Sequence, residues 1–202
     1  MVRMKIKAAP MPVLLLGAVI ISFSSVMVET SQVEPLVSAF YRAFFGALFL
    51  VPLCLLAGGS ARLTPGQQFG AAACGFVFAL DLACWHTSIR YLGPGLATLA
   101  GNFQVFLLTL AGWLFYGERM GIRFLMALPL AFGGLFLIIA KDLHNARVDS
   151  VKGLGFGLAT ALFYALFLLM VRRIQEGQRQ FALFSFQMSL SFFCALFLGM
   201  AV

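Results

Sequence analysis

Two charged side chains, Arg42 and Asp81, lie well inside long apolar stretches, where charge is costly. Arg42 is seven residues after Pro35. Asp81 is eight residues before Ile89, and His86 lies between them. At 1.5 Å per residue, Arg42 and Asp81 then lie about 10 and about 12 Å from the same end of two successive helices. Charges inside a membrane mark functional sites and relieve their cost by pairing. We therefore predict an Arg42–Asp81 pair, direct or through a ligand or water; a lock between two helices is the alternative.

Other polar or aromatic residues in these stretches could line a substrate pathway. Trp85 and Ser88 share one helical face with Asp81, at spacings of i+4 and i+7. Asn102 shares a face with Thr98 in the following stretch. Amides in membrane helices also bond helix to helix, so packing is the alternative role. The predicted substrate-pathway residues are Arg42, Asp81, Trp85, Asn102, Tyr164 and Gln187.

His86 is a candidate for proton coupling together with Asp81. Histidine is the side chain that changes charge nearest to physiological pH. At 100° per residue, however, His86 points about 140° away from Asp81. A multi-pass membrane enzyme with Asp81 and His86 as acid and base is the alternative function. Because the two side chains diverge and no nucleophile lies nearby in the sequence, we predict no catalytic residues and no enzyme.

The composition decides which class of protein carries these residues. The 202 residues are 62% hydrophobic and 10% charged, with a mean hydropathy of +0.99. Soluble domains are roughly 45–50% apolar and about 25% charged, which excludes a soluble enzyme, a disordered chain and a DNA-binding domain. The net charge of +7 is explained by Lys and Arg on the cytoplasmic side of the membrane rather than by nucleic-acid binding. The four cysteines lack CxxC spacing and neighbouring histidines, so neither a metal nor a cofactor is predicted.

The pattern predicts an all-α integral membrane protein with seven transmembrane helices. A spanning helix needs about 20 apolar residues, and the stretches lack the two-residue alternation of barrel strands. Gly and Pro lie between the stretches, and the first is predicted to be an uncleaved span rather than a signal peptide. The predicted spans are Met11–Val28, Pro35–Leu56, Phe69–Ile89, Gly95–Tyr116, Ile122–Ala140, Val151–Val171 and Phe181–Val202.

The basic residues predict the orientation. With these spans, nine of the fourteen Lys and Arg residues lie on the side of the N-terminus, four lie on the other side, and Arg42 lies within a span. Because Lys and Arg accumulate in cytoplasmic loops, the N-terminus is predicted to be cytoplasmic. A seven-helix receptor, a third class of function, would need the N-terminus outside.

An internal similarity predicts a five-helix repeat. Residues Arg42–Leu50 (RAFFGALFL) and Leu190–Leu198 (LSFFCALFL) share six of nine positions, which relates the second span to the seventh. Because five is an odd number, the second copy of a five-helix repeat crosses the membrane in the opposite orientation, as in many secondary transporters. We therefore expect residues 1–145 to form the first repeat and residues 146–202 to begin a truncated second one. On this expectation the parent protein has about 90–100 further residues.

The stretch Leu80–Arg119 resembles the third and fourth helices of the EamA-domain family in the drug/metabolite transporter superfamily. The matching features are an Asp, a Trp-His and a Ser-Ile, then a small-residue helix start, an Asn and a closing Gly-Glu-Arg. Here they are Asp81, Trp85, His86, Ser88, Ile89, Ala97, Thr98, Asn102, Gly117, Glu118 and Arg119. Tyr41, Arg42 and Phe44 match the pattern of the second helix.

The family often has a Pro three residues after the Asn, where this chain has Val105, so a kink is either missing or supplied by Gly101 or Gly112.

The resemblance implies ten helices in two inverted repeats of five and transport across the bacterial inner membrane. It implies a multi-pass transporter of small metabolites that works by alternating access, commonly an exporter of amino acids, metabolites or drugs. The expected partners are a small-molecule substrate and the lipid bilayer, with a homodimer left open. No nucleic acid is expected.

Overall fold

The computed structural model is a bundle of helices. It describes residues 10–56, 63–117, 148–175 and 180–202, together with residues 121–122, 126–127, 129–131, 133–134 and 137. Within these ranges every regular element is helical. The six helices with defined bounds are α1 (Pro10–Ser31), α2 (Pro35–Leu56), α3 (Pro65–Gly101), α4 (Gln104–Tyr116), α5 (Val148–Gln175) and α6 (Gln180–Ala201).

Most predicted spans correspond to these helices, but the third and fourth are divided differently. The predicted fourth span is shared between the end of α3 and α4. Most of the predicted fifth span, Ile122–Ala140, lies outside the described residues. The stretches that are long and apolar enough to cross a membrane are Pro35–Pro52, Pro65–Tyr116 and Asp149–Gln175, with shorter apolar helices at Leu15–Ser31 and Phe186–Ala201.

The start of α3 is fixed by its local sequence. The Thr64 side chain accepts a hydrogen bond from the backbone N–H of Gln67 at 3.3 Å. In return, the backbone N–H of Thr64 donates to Oε1 of Gln67 at 2.9 Å. Pro65, which has no N–H, takes the first helical position. This capping box satisfies two helix-end groups at once, so the helix begins here rather than further along.

A glycine bends α3 into a hairpin. Gly93 has φ 77° and ψ 166°, a conformation that only glycine adopts readily, and Pro94 begins the next helical segment. The turn lets the segment after Gly93 run back along the segment before it. The residues of the predicted third and fourth spans are thereby brought side by side.

A second interruption divides the returning segment at Asn102 and Phe103. The N–H of Phe103 donates to Ala100 at 3.2 Å, and the N–H of Val105 donates to Asn102 at 3.1 Å. These i to i−3 bonds tighten the backbone into a short 3₁₀ turn between α3 and α4. The interruption follows Gly101, whereas Gly112 lies within continuous α4. Of the two glycines, Gly101 therefore lies at the interruption, four residues before Val105, the position where the family often has a proline.

The central element is α3, which packs against α1, α2, α5 and α6. Its contact with α5 is close because two glycines of α5 face it. A Cβ on Gly153 would lie 2.6 Å from Cβ of Tyr91, and a Cβ on Gly157 would lie 2.7 Å from Cβ of Ala100. Small residues of this kind let membrane helices approach. In the same contact, the Ser88 hydroxyl donates to the carbonyl of Gly153 at 2.8 Å.

A second contact region joins α2, α3 and α6 through small residues. Its buried members are Ala39, Ala43, Ala79, Leu82, Cys194, Ala195 and Leu198. Many large apolar side chains face outward, such as Phe49 and Phe69, although Leu82 and Leu198 of this region are buried. This is the arrangement that a hydrocarbon solvent favours, since lipid does not drive large apolar side chains inward. We name the two ends of the bundle by their residues: the Arg90 end, where α1 finishes and α2 begins, and the Arg172 end.

Candidate substrate site

Arg42 of α2 is held between two neighbouring helices. Its Nη1 donates to Oγ of Ser24 on α1 at 3.0 Å. Its guanidinium carbon lies 4.8 Å from the centre of the Trp85 ring on α3. A guanidinium over an aromatic face is attracted by the ring quadrupole, and the attraction grows when water is excluded. These two contacts fix the cation inside the bundle.

The carboxylate of Asp81 interacts electrostatically with Arg42. It is only 4% exposed, and its Oδ1 has no hydrogen-bond partner among the described residues. In that part of the chain, no ion pair within 4 Å joins Asp81 to Arg42. Of the predicted forms of the pair, the direct one is not formed, and the two charges interact at longer range.

The helix interruption lies beside this site. The Thr160 hydroxyl of α5 donates to the backbone carbonyl of Asp81 at 3.4 Å. A Cβ on Gly101 would lie 3.3 Å from Cγ2 of Thr160 and 3.9 Å from Cδ1 of Trp85. The interruption after Gly101, the indole of Trp85 and the backbone of Asp81 are thus packed together. Discontinuous helices with polar surroundings are typical of binding sites in secondary transporters.

The remaining predicted pathway residues are placed unevenly. Tyr164 of α5 lies within electrostatic range of both Asp81 and Arg42, with its ring 5.7 Å from that of Phe167. Asn102 is exposed at the helix interruption. Gln187 of α6 is half-buried. The structure therefore brings Arg42, Asp81, Trp85 and Tyr164 together, places Asn102 at the adjoining backbone turn, and gives Gln187 no described contact with them.

His86 is buried beside Trp85. It is 1% exposed, and the two ring centres are 5.2 Å apart in an edge-to-face arrangement. Neither ring nitrogen has a hydrogen-bond partner among the described residues. Leaving a buried polar group without a partner costs about 1–3 kcal/mol. No described residue therefore offsets this cost for the ring of His86.

The sequence did not single out two of the contacting residues. Ser24 and Thr160 are ordinary small polar residues in apolar helices, so only their neighbours in space reveal a role. Conversely, Ser88 was expected to share a cavity face with Asp81, but its hydroxyl is used in the contact with Gly153. Among the described residues, no group of three His, Cys, Asp or Glu side chains could hold a metal ion.

The helices, their outward apolar side chains and the buried charges together define a multi-pass membrane protein. The sequence profile of the EamA-like transporter family matches residues 10–140. The chain belongs to this family, whose members are transporters.

Two relatives extend this comparison. The chain is 38% identical to an uncharacterized protein of Pseudomonas aeruginosa over 126 residues, which is 60% of the chain and 42% of that relative. It is 27% identical to an uncharacterized transporter of Archaeoglobus fulgidus over 164 residues, or 81% of the chain and 56% of that relative. The chain thus spans about half the length of the curated relatives it matches. No solved structure matches the chain.

Proposed function

We propose that the chain is part of a transporter that exports small metabolites, such as amino acids or drugs, across the bacterial inner membrane by alternating access. The family membership supports transport. The observation that carries the site is the half-buried Arg42, held by Ser24 and Trp85, with Asp81 in electrostatic range and its Oδ1 without a hydrogen-bond partner among the described residues. Two opposite charges that do not neutralise each other directly can each bind a group on a solute.

In this proposal each pathway residue has a separate part. Arg42 and Asp81 supply the charges, and Trp85 forms a flat wall against which part of a solute can pack. Tyr164 and the backbone around Asn102 border the same space, because Thr160 and Gly101 hold the helix interruption against Trp85. Gln187 would reach the other pathway residues only if α6 packed differently against the bundle.

We also propose the full architecture of ten helices in two inverted repeats, with residues 1–145 as the first and residues 146–202 as the start of the second. The packing of α2 against α6 supports it. At the offset of the sequence match, Ala43 corresponds to Ser191 and Ala47 to Ala195, and all four residues are buried. Repeat-related helices that bury equivalent positions are what a pseudo-symmetric transporter requires.

Orientation and coupling are part of the same proposal. The N-terminus is placed in the cytoplasm, because most Lys and Arg residues of the predicted loops are on its side. Asp81 and His86 are proposed to carry protons, since both are buried and carry unpartnered polar atoms in the described part of the chain. Transport that does not respond to a proton gradient would overturn the coupling while leaving the transport proposal standing.

The transport proposal is tested by profiling metabolites released from bacterial cells that express the chain. We expect wild type to raise the external level of at least one small metabolite, and Arg42→Gln to abolish the rise. Arg173→Gln is the matched control, because Arg173 is exposed at the end of α5 and away from the site. Equal release by wild type and Arg42→Gln, at equal membrane expression, would contradict the proposed site.

A further inference from the structure

Helix α1 packs against the rest of the bundle over a short stretch. Among the α1 side chains that the structure describes, Ser25 is the one buried residue, at 8% exposed. Ile21 and Ser22 continue the face of Ser25 one turn earlier, and Ala18 continues it two turns earlier. All three are exposed, and for Ile21 the exposed fraction is 65%. The helix therefore separates from the bundle between Ser25 and Ile21.

The side chain of Arg42 bridges a gap between α1 and α2. In the described ranges α1 packs against α3 and makes no extended contact with α2, although α2 follows it directly in the chain. Nη1 of Arg42 crosses the gap and donates to Oγ of Ser24 at 3.0 Å. For the residues that the structure describes, this is the only hydrogen bond between α1 and another helix, because the other bonded hydroxyls of α1 donate to carbonyls of α1 itself.

The connection between α1 and α2 has the features of a hinge. It consists of Gln32, Val33 and Glu34, which are all exposed. Gln32 has φ 50°, a left-handed conformation that is uncommon for a residue other than glycine. Hinges are a few residues between elements that absorb a change in backbone angles. A rotation at this connection would move the loosely packed first half of α1 the most.

An anionic group can replace Ser24 on the guanidinium of Arg42. The serine hydroxyl is a neutral acceptor, whereas a carboxylate or phosphate accepts two parallel bonds from a guanidinium and binds it roughly twice as strongly. Arg42 is half-buried, so part of its side chain is accessible. The guanidinium also lies 4.8 Å from the centre of the Trp85 ring on α3, a contact that does not involve α1. The cation therefore keeps one of its two contacts when Ser24 leaves.

From these observations we infer that Ser24 is a positioning residue that holds α1 beside Arg42, and that a solute with an anionic group releases α1 by taking the place of Ser24. Release widens the gap between α1 and α2, so that Arg42 is reached from the side of the bundle. The inference rests on the proposed function for the solute-binding role of Arg42. The movement of α1, however, can be measured on the purified chain without transport.

The test measures the distance between α1 and α2 with a pair of nitroxide spin labels. Leu16→Cys on α1 and Leu48→Cys on α2 provide exposed attachment sites, since the native side chains are 61% and 51% exposed. The control pair is Leu48→Cys with Leu196→Cys on α6, because α2 and α6 pack together. The native cysteines are buried or half-buried, and wild type treated with the same label is the blank.

We expect wild type without solute to show mainly the short distance. Ser24→Ala should raise the population at longer distance by about threefold to tenfold, the range for one hydrogen bond between membrane helices. Ser24→Thr keeps the hydroxyl and should resemble wild type. The control pair should not change in either variant.

Sodium benzoate is the anionic probe, and benzamide at the same concentration and ionic strength is its neutral analogue. Benzoate should raise the population at longer distance in wild type, and benzamide should not. Because Ser24→Ala has already lost the bond, benzoate should shift this variant little further. A helix that Ser24 only helped to pack would not show this dependence on the anion.

Three results would overturn the inference. One is an α1–α2 distance that Ser24→Ala leaves unchanged. Another is an equal effect of Ser24→Ala and Ser24→Thr, which would assign the change to packing rather than to the hydroxyl. The third is a benzoate response that is absent in wild type or equally large in Ser24→Ala. Movement of α1 as expected without metabolite export would contradict only the proposed function, and export with an unresponsive α1 only this inference.

Discussion

The guanidinium of Arg42 lies 4.8 Å from the centre of the Trp85 ring and forms no ion pair within 4 Å with Asp81, considering the described residues. The cation is instead bound by a ring face and by the Ser24 hydroxyl at 3.0 Å. Asp81 thereby keeps an unpartnered carboxylate oxygen. In the proposed function, this arrangement leaves Arg42 and Asp81 free to bind different groups of a solute.

The longer-range coupling between Arg42 and Asp81 can be measured by a double-mutant cycle. Removing either charge leaves the other inside the bundle without its counterpart, so Arg42→Gln and Asp81→Asn should each destabilise the chain. The double variant should be destabilised by less than the sum of the two single losses. We expect a coupling energy of about 0.5–3 kcal/mol in the free energy of unfolding, measured in mixed micelles. Additivity within about 0.5 kcal/mol would show that the two charges do not interact.

The close contact of α5 with α3 predicts opposite effects for two neighbouring glycines. A Cβ on Gly157 would lie 2.7 Å from Cβ of Ala100 and 3.0 Å from Oγ of Ser88, so Gly157→Ala should destabilise the chain by about 1–3 kcal/mol. Gly155 has no atom within 4 Å of an added Cβ, so Gly155→Ala should be neutral or stabilising by up to about 1 kcal/mol. Unfolding of the two variants in the same micelles compares them directly, and equal effects would refute the packing.

The hydrogen bond between Ser88 and Gly153 should also be measurable. Ser88→Ala removes the donor and should cost about 0.6–2 kcal/mol of unfolding free energy, as for other bonds between membrane helices. Thr87→Ala is the control, because within the described part of the chain the Thr87 hydroxyl donates to the carbonyl of Ala83 in its own helix, at 2.7 Å. The structure would be contradicted if Thr87→Ala were the more costly change.

The helix interruption predicts where proline is tolerated. Val105 lies in the first turn of α4, so Val105→Pro loses one short bond to Asn102 and should cost well under the roughly 3 kcal/mol of an interior proline. Leu110→Pro, in the middle of α4, should carry the full cost. Thermal unfolding of both variants decides the matter, and equal losses would mean that α3 and α4 form one continuous helix.

The capping box at the start of α3 predicts a local effect. Thr64→Ala removes the acceptor for the Gln67 N–H and should lower stability by about 1 kcal/mol. Amide hydrogen exchange should rise in the first turn of α3 and stay unchanged near Asp81. Uniformly faster exchange along α3 would instead indicate loss of the whole helix.

Much of the fold could be predicted from the sequence, because hydrocarbon leaves the backbone few options. Long apolar stretches must form helices that satisfy their own hydrogen bonds, and Gly and Pro mark their ends. The helical class, most helix bounds and the position of Arg42 and Asp81 inside apolar helices followed from that constraint. The family resemblance, carried by residues such as Asp81, Trp85 and Asn102, was confirmed by the family match.

The tertiary structure decided which groups meet. Periodicity predicted that Asp81 and Ser88 share a face, but it could not say that α5 would take the Ser88 hydroxyl, since that depends on two glycines allowing close approach. Nor could spacing reveal that Trp85 and Ser24 hold Arg42, or that Gly93 folds α3 back so that Gly101 reaches Trp85. The sequence determines the cost of burying each charge; only packing between helices determines which neighbours offset it.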